Sequence, residues 1–451
     1  MVSLLRPLVS LALAALLPLV AAAAQSPFRQ LTNSAADHGQ ITLSPDGTKV
    51  AFGNQLSPVN QVGYVDVASG AEVSFATTLR PTGLVWDATS RYLFYGDGAA
   101  LRSIDTVAAT VATVATAAAV RIVPGCMSGD NATIYCIMTA ATGASTLASV
   151  VRATGASTGH LTTFSQLDEF RLDASGRFLL VRSTAFAPAP NSFLRIDTSQ
   201  WTSQTLFTGS AVYESGSAFW LQGSSTIGLR TSPGSARPTQ YCSVAAGVAP
   251  TALSGYRHGV VSCAEPAADG WIALEGPGLF GSAPLALIPA GGGGLVFPDS
   301  ASLPTPGLGP TLWDVSASPA ARRIAVASGA YQAQIYLLEL GTRYVRVGPR
   351  VSVGTTFTVG CEVAQGEVAA VAFSMSGSTP RPVAGVQGLL VIGSSGYPVV
   401  TVLVGIGPGA ASMPLAFAND PSLVGMRVYF QGGWGSPSGI ELGPAGYFEI
   451  L

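Results

Sequence analysis

Gly155, Ser157 and Gly159 fit the pattern Gly-x-Ser-x-Gly, and His160 follows at once, which would place a serine nucleophile beside a base. Such an elbow needs a strand-to-helix turn in an α/β domain of some 200 residues. Only about 100 residues remain beyond the repeated part of the chain, too few for such a domain, so a hairpin turn is the expected reading. His38, His160 and His258 are too far apart for a helix-borne metal site, and hydrogen-bonded or solvated imidazoles are expected. Asp168 and Glu169 lie beside Arg171. Acid and base catalysis would need two carboxylates at a set separation, so a surface ion pair is the expectation. Trp86 and Trp220 each precede a turn and have rings suited to line a sugar-binding channel, but core packing is the default. No Asp-x-Asp-x-Asp-Gly calcium loop occurs. No residue is assigned a catalytic, cofactor-binding or metal-binding role, and no cofactor is expected.

Five cysteines are present: Cys126, Cys136, Cys242, Cys263 and Cys361. An odd number leaves one unpaired within the chain. Cys126 and Cys136 flank a tight turn and are expected to face each other across a hairpin, with Cys242 and Cys263 as a second pair between successive repeats. Each also reads as a small buried hydrophobe. Without any Cys-x-x-Cys, zinc is not expected.

The elements that carry these residues repeat. Ile41 to Phe52 is a short strand, a Ser44-Pro45-Asp46-Gly47 turn and a second strand. Copies of this unit begin near Asp87, Ser128, Asp173, Gln222, Ala267 and Ser318. The spacing is close to the 40 to 50 residues of a four-stranded propeller blade. Third strands recur at Gly63, Leu101, Phe193 and Gln334, and fourth strands at Glu72 and Ser203. No long helical pattern separates them, which excludes a parallel α/β fold. The expected fold is all-β: a seven-bladed propeller, six or eight being the neighbouring counts, over residues 25–343, followed by a β-sandwich-like domain over 344–451.

Composition sets further bounds. Only 10% of residues are charged, with 53 glycines and 30 prolines, so small neutral polar groups must cover much of the surface. The formal net charge is -2, and the 22 basic residues, all arginine except Lys49, are scattered singly. Nothing resembles the basic stripe that binds nucleic acid or an anionic membrane. Residues 1–24 combine Arg6, an apolar run from Leu8 to Val20 and Ala22-Ala23-Ala24, the three parts of an export signal. Cleavage after Ala24 and a secreted, periplasmic or cell-surface location are expected, with no membrane span in the mature chain.

The strand, Ser-Pro-Asp-Gly and strand signature at Ile41 to Phe52 resembles the WD40-like propeller repeat of the TolB type. Phe28 to Thr32 looks like the outer strand that precedes such a repeat, and the resemblance implies that it completes the last blade and closes the ring. The resemblance speaks for fold, because such blades host many functions. The longest connections, Thr208 to Gly216 and Leu295 to Pro310, would share one face with the second-to-third-strand loops at Ala185 to Asn191 and Thr231 to Arg237. Any binding site is expected on that face. Ala418 to Gln431 and the closing strand through Leu451 resemble a C-terminal domain carried by many secreted proteins of planctomycetes and myxobacteria, a match that spans most of Arg350 to Leu451; surface attachment or secretion sorting is the expectation, with a passive β cap as the alternative. The functional expectation is an exported, non-catalytic protein that binds a protein, peptide or glycan on one propeller face. The alternative is a secreted carbohydrate-active hydrolase or lyase with its site at the channel.

Overall fold

The computed structural model describes residues 28–34, 37–54, 59–163, 166–184, 191–209, 218–221, 224–231, 240–257, 264–266, 271–275, 285–289, 295–296, 312–328, 333–339, 344–348, 351–383, 386–387, 389–392 and 400–450. Residues 1–24 therefore lie outside the described residues, as do His258, Cys263 and most of the four loops named above. Among the described residues the chain is almost all strand, and the one helical element is a 3₁₀ turn at Pro421–Leu423. No described helix is long and apolar enough to cross a membrane.

Strand β1 is Phe28–Gln30. Four groups follow, each an antiparallel sheet in chain order. The first holds β2 (Gln40–Leu43), β3 (Lys49–Gly53), β4 (Gln61–Asp66) and β5 (Glu72–Ala76). The second holds β6 (Thr82–Trp86), β7 (Tyr92–Asp97), β8 (Ala100–Asp105) and β9 (Thr110–Thr116). The third holds β10 (Arg121–Met127), β11 (Thr133–Thr139), β12 (Ser145–Val151) and β13 (Ser157–Thr163). The fourth holds β14 (Gln166–Leu172), β15 (Phe178–Thr184), β16 (Asn191–Asp197) and β17 (Thr202–Gly209). A fifth sheet is built from β18 (Phe219–Trp220), β19 (Thr226–Thr231), β20 (Gln240–Ala245) and β21 (Val248–Arg257). Then β22 (Ala264–Pro266), β23 (Trp271–Glu275), β24 (Leu285–Pro289) and β25 (Leu295–Val296) pair in sequence. The last group comprises β26 (Leu312–Ser318), β27 (Arg323–Ser328) and β28 (Gln334–Glu339), with β1 as its outer strand. Phe28 pairs with Leu338 and Gln30 with Tyr336, so the N-terminal strand joins the last group as the sequence implies.

These sheets stack face to face as the blades of a β-propeller, and the packing explains the strand sequences. A strand sends alternate side chains to opposite faces. Val50 and Phe52 of β3 meet Ala325 and Ala327 of the last blade, whereas Ala51 between them meets Leu93 and Tyr95 of the second. The relay continues. Phe94 packs with Ile134 and Cys136, Ile137 with Leu179 and Val181, and Leu180 with Ile227. Middle strands are buried on both faces and read as unbroken apolar runs, while an outer strand such as β9 alternates toward solvent.

The remaining strands are β29 (Arg346–Gly348), β30 (Thr356–Val363), β31 (Val368–Ser374), β32 (Gly377–Pro382), β33 (Val386–Gln387), β34 (Leu389–Ile392), β35 (Val400–Ile406), β36 (Gly409–Ala416), β37 (Arg427–Ser436) and β38 (Gly439–Glu449). A sheet of β29, β30 and β36 faces a second sheet that contains β31, β35, β37 and β38. Phe357, Val359 and Cys361 of the first sheet meet Val371, Phe430 and Phe448 of the second. This part of the chain is joined to the propeller twice. Leu295 and Val296 of β25 pair with Gly446 and Ala445 of β38. Ile324, Val326, Tyr336 and Leu338 of the last blade share one core with Val345, Phe357 and Trp434.

A chain ending before Tyr344 is therefore expected to expose that blade face and lose the sharp thermal transition of the full chain. Dye-binding and circular-dichroism melts check this, and an unchanged melt would refute the shared core. Trp434, 1% exposed with its indole nitrogen donating to the Glu362 carbonyl, gives a milder test. Trp434→Ala should cost about 3–5 kcal/mol in the same transition that reports the blades.

Candidate functional site

One face of the propeller, here the lower, holds the turns between first and second strands and between third and fourth. The first-to-second turn keeps one geometry in four blades. Its first residue is Ser44, Asp87, Ser128 or Asp173, and that side chain accepts the backbone N–H of Lys49, Tyr92, Thr133 or Phe178 at 2.8–3.0 Å. Two residues later stands the complementary type: Asp46, Thr89, Asp130 or Ser175. In every case the hydroxyl donates to the carboxylate, at 2.6–2.7 Å. The fourth residue is left-handed: Gly47 (φ 68°), Ser90 (59°), Asn131 (60°) and Gly176 (74°). At Ser90 and Asn131 a side chain replaces the easier glycine and reaches the preceding blade. Ser90 Oγ accepts the Asp46 N–H at 3.1 Å, and Asn131 Oδ1 accepts the Ala88 N–H at 2.9 Å.

The carboxylates of this face are thus committed to local donors. Burial pushes the Asp46 and Asp173 carboxyls up, but bonds from Thr48, Ser44, Ser175 and Phe178 more than offset it and leave both below the usual range. Hydrogen bonds from the Arg91 and Arg177 guanidiniums hold Asp105 and Asp197 well below it, with N–O distances of 2.6 and 2.5 Å. Arg195 stacks over Phe178 at 3.7 Å beside the second pair.

Ser157 lies on outer strand β13, and Gly155 is a left-handed turn residue (φ 70°), so no nucleophile elbow forms. His160 instead meets Ser149 on the neighbouring strand, Nε2 to Oγ 2.8 Å, and stacks flat on Trp201 of the next blade at 3.2 Å. Burial lowers the His160 pKa below the ordinary imidazole value. His38 is fully buried between the first and last blades. Its Nδ1 lies 2.8 Å from the Ala333 carbonyl, and Nε2 lies 3.4 Å from Glu72. Trp86 and Trp220 donate from their indole nitrogens to the carbonyls of Thr42 and Arg171, each 3.0 Å away in the preceding blade. They are ties between blades rather than a platform in the channel. The backbones of Asp168 and Glu169 lie on β14 beside a register shift, and their side chains lie outside the described residues.

The expectation that Cys126 and Cys136 face each other is corrected. A bulge at Gly125 places Cys126 opposite Tyr135, so the two thiols leave the sheet on opposite faces. Cys136 packs toward the second blade and Cys126 toward the fourth. The bulge has a packing cause: a Cβ at Gly125 would lie 1.9 Å from the Phe170 ring, which fills that space. Cys126, Cys136 and Cys361 are free thiols, and burial pushes Cys126 up to about 12. Cys242 lies on β20, and its proposed partner Cys263 lies outside the described residues.

The opposite, upper face holds the corners from one blade's outer strand to the next blade's inner strand. Two of them are fully described. At the first, Asp97 accepts the N–H groups of Thr78 (3.3 Å) and Leu79 (2.8 Å), and the Thr77 hydroxyl donates to the Leu79 carbonyl. The corner is fixed, yet Leu79 is 52% exposed and Arg80 is exposed beside it. At the second, Val120 donates to the Thr139 carbonyl and Ile122 to the Gly98 carbonyl. Val120 is 55% exposed and Arg121 is exposed beside it. Val59, in the loop after β3, is 59% exposed, and Asn60 beside it accepts the Thr77 N–H. Sequence reasoning passed over these residues. Their signal is an aliphatic-Arg pair repeated at 79–80 and 120–121, matching the step from Asp87 to Ser128.

No family model matches this chain, and no curated protein matches it by sequence. Solved structures do. An oligogalacturonate lyase in complex with manganese aligns with TM-score 0.51 and 16% identity, covering 70% of this chain and 93% of that one. The β-propeller domain of Myceliophteria thermophila Cps50 (Swd1) aligns at 0.49 and 11%, covering 70% and 100%. Identities this low concern the fold alone.

Two solution measurements follow. The Glu72 carboxyl is held below its ordinary 4.5 by the His38 imidazole 3.4 Å away, against the upward push of burial. Its contribution to stability is therefore complete above about pH 4.5 and is lost as pH falls through the lower folded-state value. Glu72→Gln should flatten the fall in melting temperature on the acid side, and parallel curves for the two proteins would contradict this. Thiol titration of unfolded, unreduced protein should count at least the three free cysteines Cys126, Cys136 and Cys361; a lower count would show that one of these three had formed a disulfide.

Proposed function

We propose that this chain is an exported binding protein that holds its partner on the upper face of a seven-bladed propeller, with the C-terminal segment as a fixed accessory. Export rests on the three-part pattern of residues 1–24. The observation that carries the binding reading is the first corner, where buried Asp97 fixes the backbone of Thr78 and Leu79 while the Leu79 side chain stays in solvent. A fixed loop with an exposed apolar tip has already lost the entropy that binding would otherwise remove. The non-catalytic part of the reading is supported by the lower-face aspartates, whose oxygens are engaged by turn donors and arginines and so are poorly placed to exchange protons with a substrate.

Thermal unfolding of the chain from Gln25 to Leu451 against oligosaccharides, cell-wall fragments and peptides tests this. A partner at about 100 times its dissociation constant adds roughly 2.7 kcal/mol to stability. That shift should disappear when Leu79 and Val120 are both changed to Ser. A glycan that raises the transition and is also cleaved would overturn the reading in favour of the carbohydrate-active enzyme.

A further inference from the structure

The geometry points to an acidic, aliphatic-bearing peptide segment as the ligand of the upper face, docked across the first three blades on Val59, Leu79 and Val120 and held by Arg80 and Arg121. This rests on the reading of that face as the binding face and names what it takes.

The patch is continuous. Asn60 accepts from Thr77, two residues before Leu79. The Leu79 side chain lies against Gly98, where an added Cβ would stand 2.8 Å from Leu79 Cδ1. The Gly98 carbonyl accepts Ile122 N–H at 2.8 Å, two residues after Val120. Three half-exposed aliphatic side chains therefore stand along one row of fixed backbone.

Charge identifies the partner. Arg80 and Arg121 are exposed, and neither meets a carboxylate or a hydrogen-bond acceptor among the described residues. Most other arginines of these blades are engaged, Arg91 with Asp105, Arg102 with Asp97 and Arg152 with Asp87. Among the described residues of the upper loops and corners of the first three blades the carboxylates are Asp37 and Asp97, and both are buried and engaged, Asp37 accepting the Ala333 N–H at 3.2 Å and Asp97 paired with Arg102 at 3.0 Å. Among the described residues the face offers two uncompensated cations flanking apolar side chains. A neutral glycan would leave both cations unused and would look for aromatic rings. An acidic peptide with aliphatic side chains satisfies both features, because guanidiniums pair with carboxylates in the plane and aliphatic side chains bury against their like.

The test uses the full chain from Gln25 and the fluorescein-labelled peptide Ser-Leu-Glu-Val-Glu-Leu-Glu-Ser, followed by anisotropy at low and at physiological ionic strength. Two control peptides replace every Glu by Lys, or every Leu and Val by Ser. Binding of the first peptide alone, weakened by salt, is expected. Arg80→Glu with Arg121→Glu should weaken it about tenfold or more, and Leu79→Ser with Val120→Ser should do the same. These positions are exposed, so the melting temperature should stay unchanged in both variants. Equal binding of the Ser-substituted peptide, binding of the Lys peptide, failure of all three, or indifference to the four substitutions would each overturn the proposal. If the peptides fail while another ligand raises the melting transition through the same face, the binding reading stands and the peptide assignment falls.

Discussion

The ring depends on how separate sheets are fastened around a circle. Backbone hydrogen bonds run within each blade and stop at its inner strand, so successive inner strands present polar edges to one another. Side chains close these gaps. Ile41 N–H donates to Asp314 Oδ2 and Leu43 N–H to Ser316 Oγ, while the Ser318 hydroxyl donates to the Pro45 carbonyl. Three alternate residues of β26 thus cap the first blade's edge where the chain has to join its own beginning. Elsewhere Trp86, Trp220, Ser90 and Asn131 make the equivalent ties. Each bond is worth only about 1 kcal/mol net, but leaving the same edge group buried and unmet would cost more. This explains why the turn keeps its polar residues while the strands around it vary.

That fastening is also why much of the fold was legible. The turn chemistry is local, so Ser44, Asp87, Ser128 and Asp173 mark their blades even where Pro and Gly have gone. Ser and Asp exchange places between the first and third positions because the hydroxyl-to-carboxylate bond is the same from either side. The replacement of Gly by Ser90 and Asn131 is no defect of the turn. It is an exchange of backbone ease for a tie to the neighbouring blade. What was not legible depends on contacts from other blades. The bulge that separates Cys126 from Cys136 answers to Phe170, 45 residues away from Gly125, and the Gly155 to Gly159 pattern is a turn and a strand in which His160 finds Trp201. Spacing within one segment carries no trace of either partner.

The C-terminal strands answer a different demand. Outer blade edges ordinarily face solvent, and an unpaired strand edge invites aggregation. Here β38 pairs with β25, and a core containing Trp434 and Phe430 covers the face of the last blade that alternation turns away from the first. The strand run and the apolar core both cross the point at which the repeat rhythm ends. The change of sequence pattern near Gly341 therefore marks a change of architecture within a continuously packed body.

The two faces of the propeller differ because their polar groups have different occupations. On the lower face each carboxylate that folds a turn draws in a hydroxyl, a backbone N–H or an arginine of the same or the adjoining blade, and little hydrogen-bonding capacity is left over. On the upper face the work of fixing the corner falls on Asp97 from below, so the residues at its crest are released from structural duty. Leu79, Arg80, Val120 and Arg121 keep their full interaction capacity on backbone that is already ordered. In a chain with so few charges, Arg80 and Arg121, which meet no counter-ion among the described residues, stand on a fixed apolar crest where a partner's carboxylates would change their free energy.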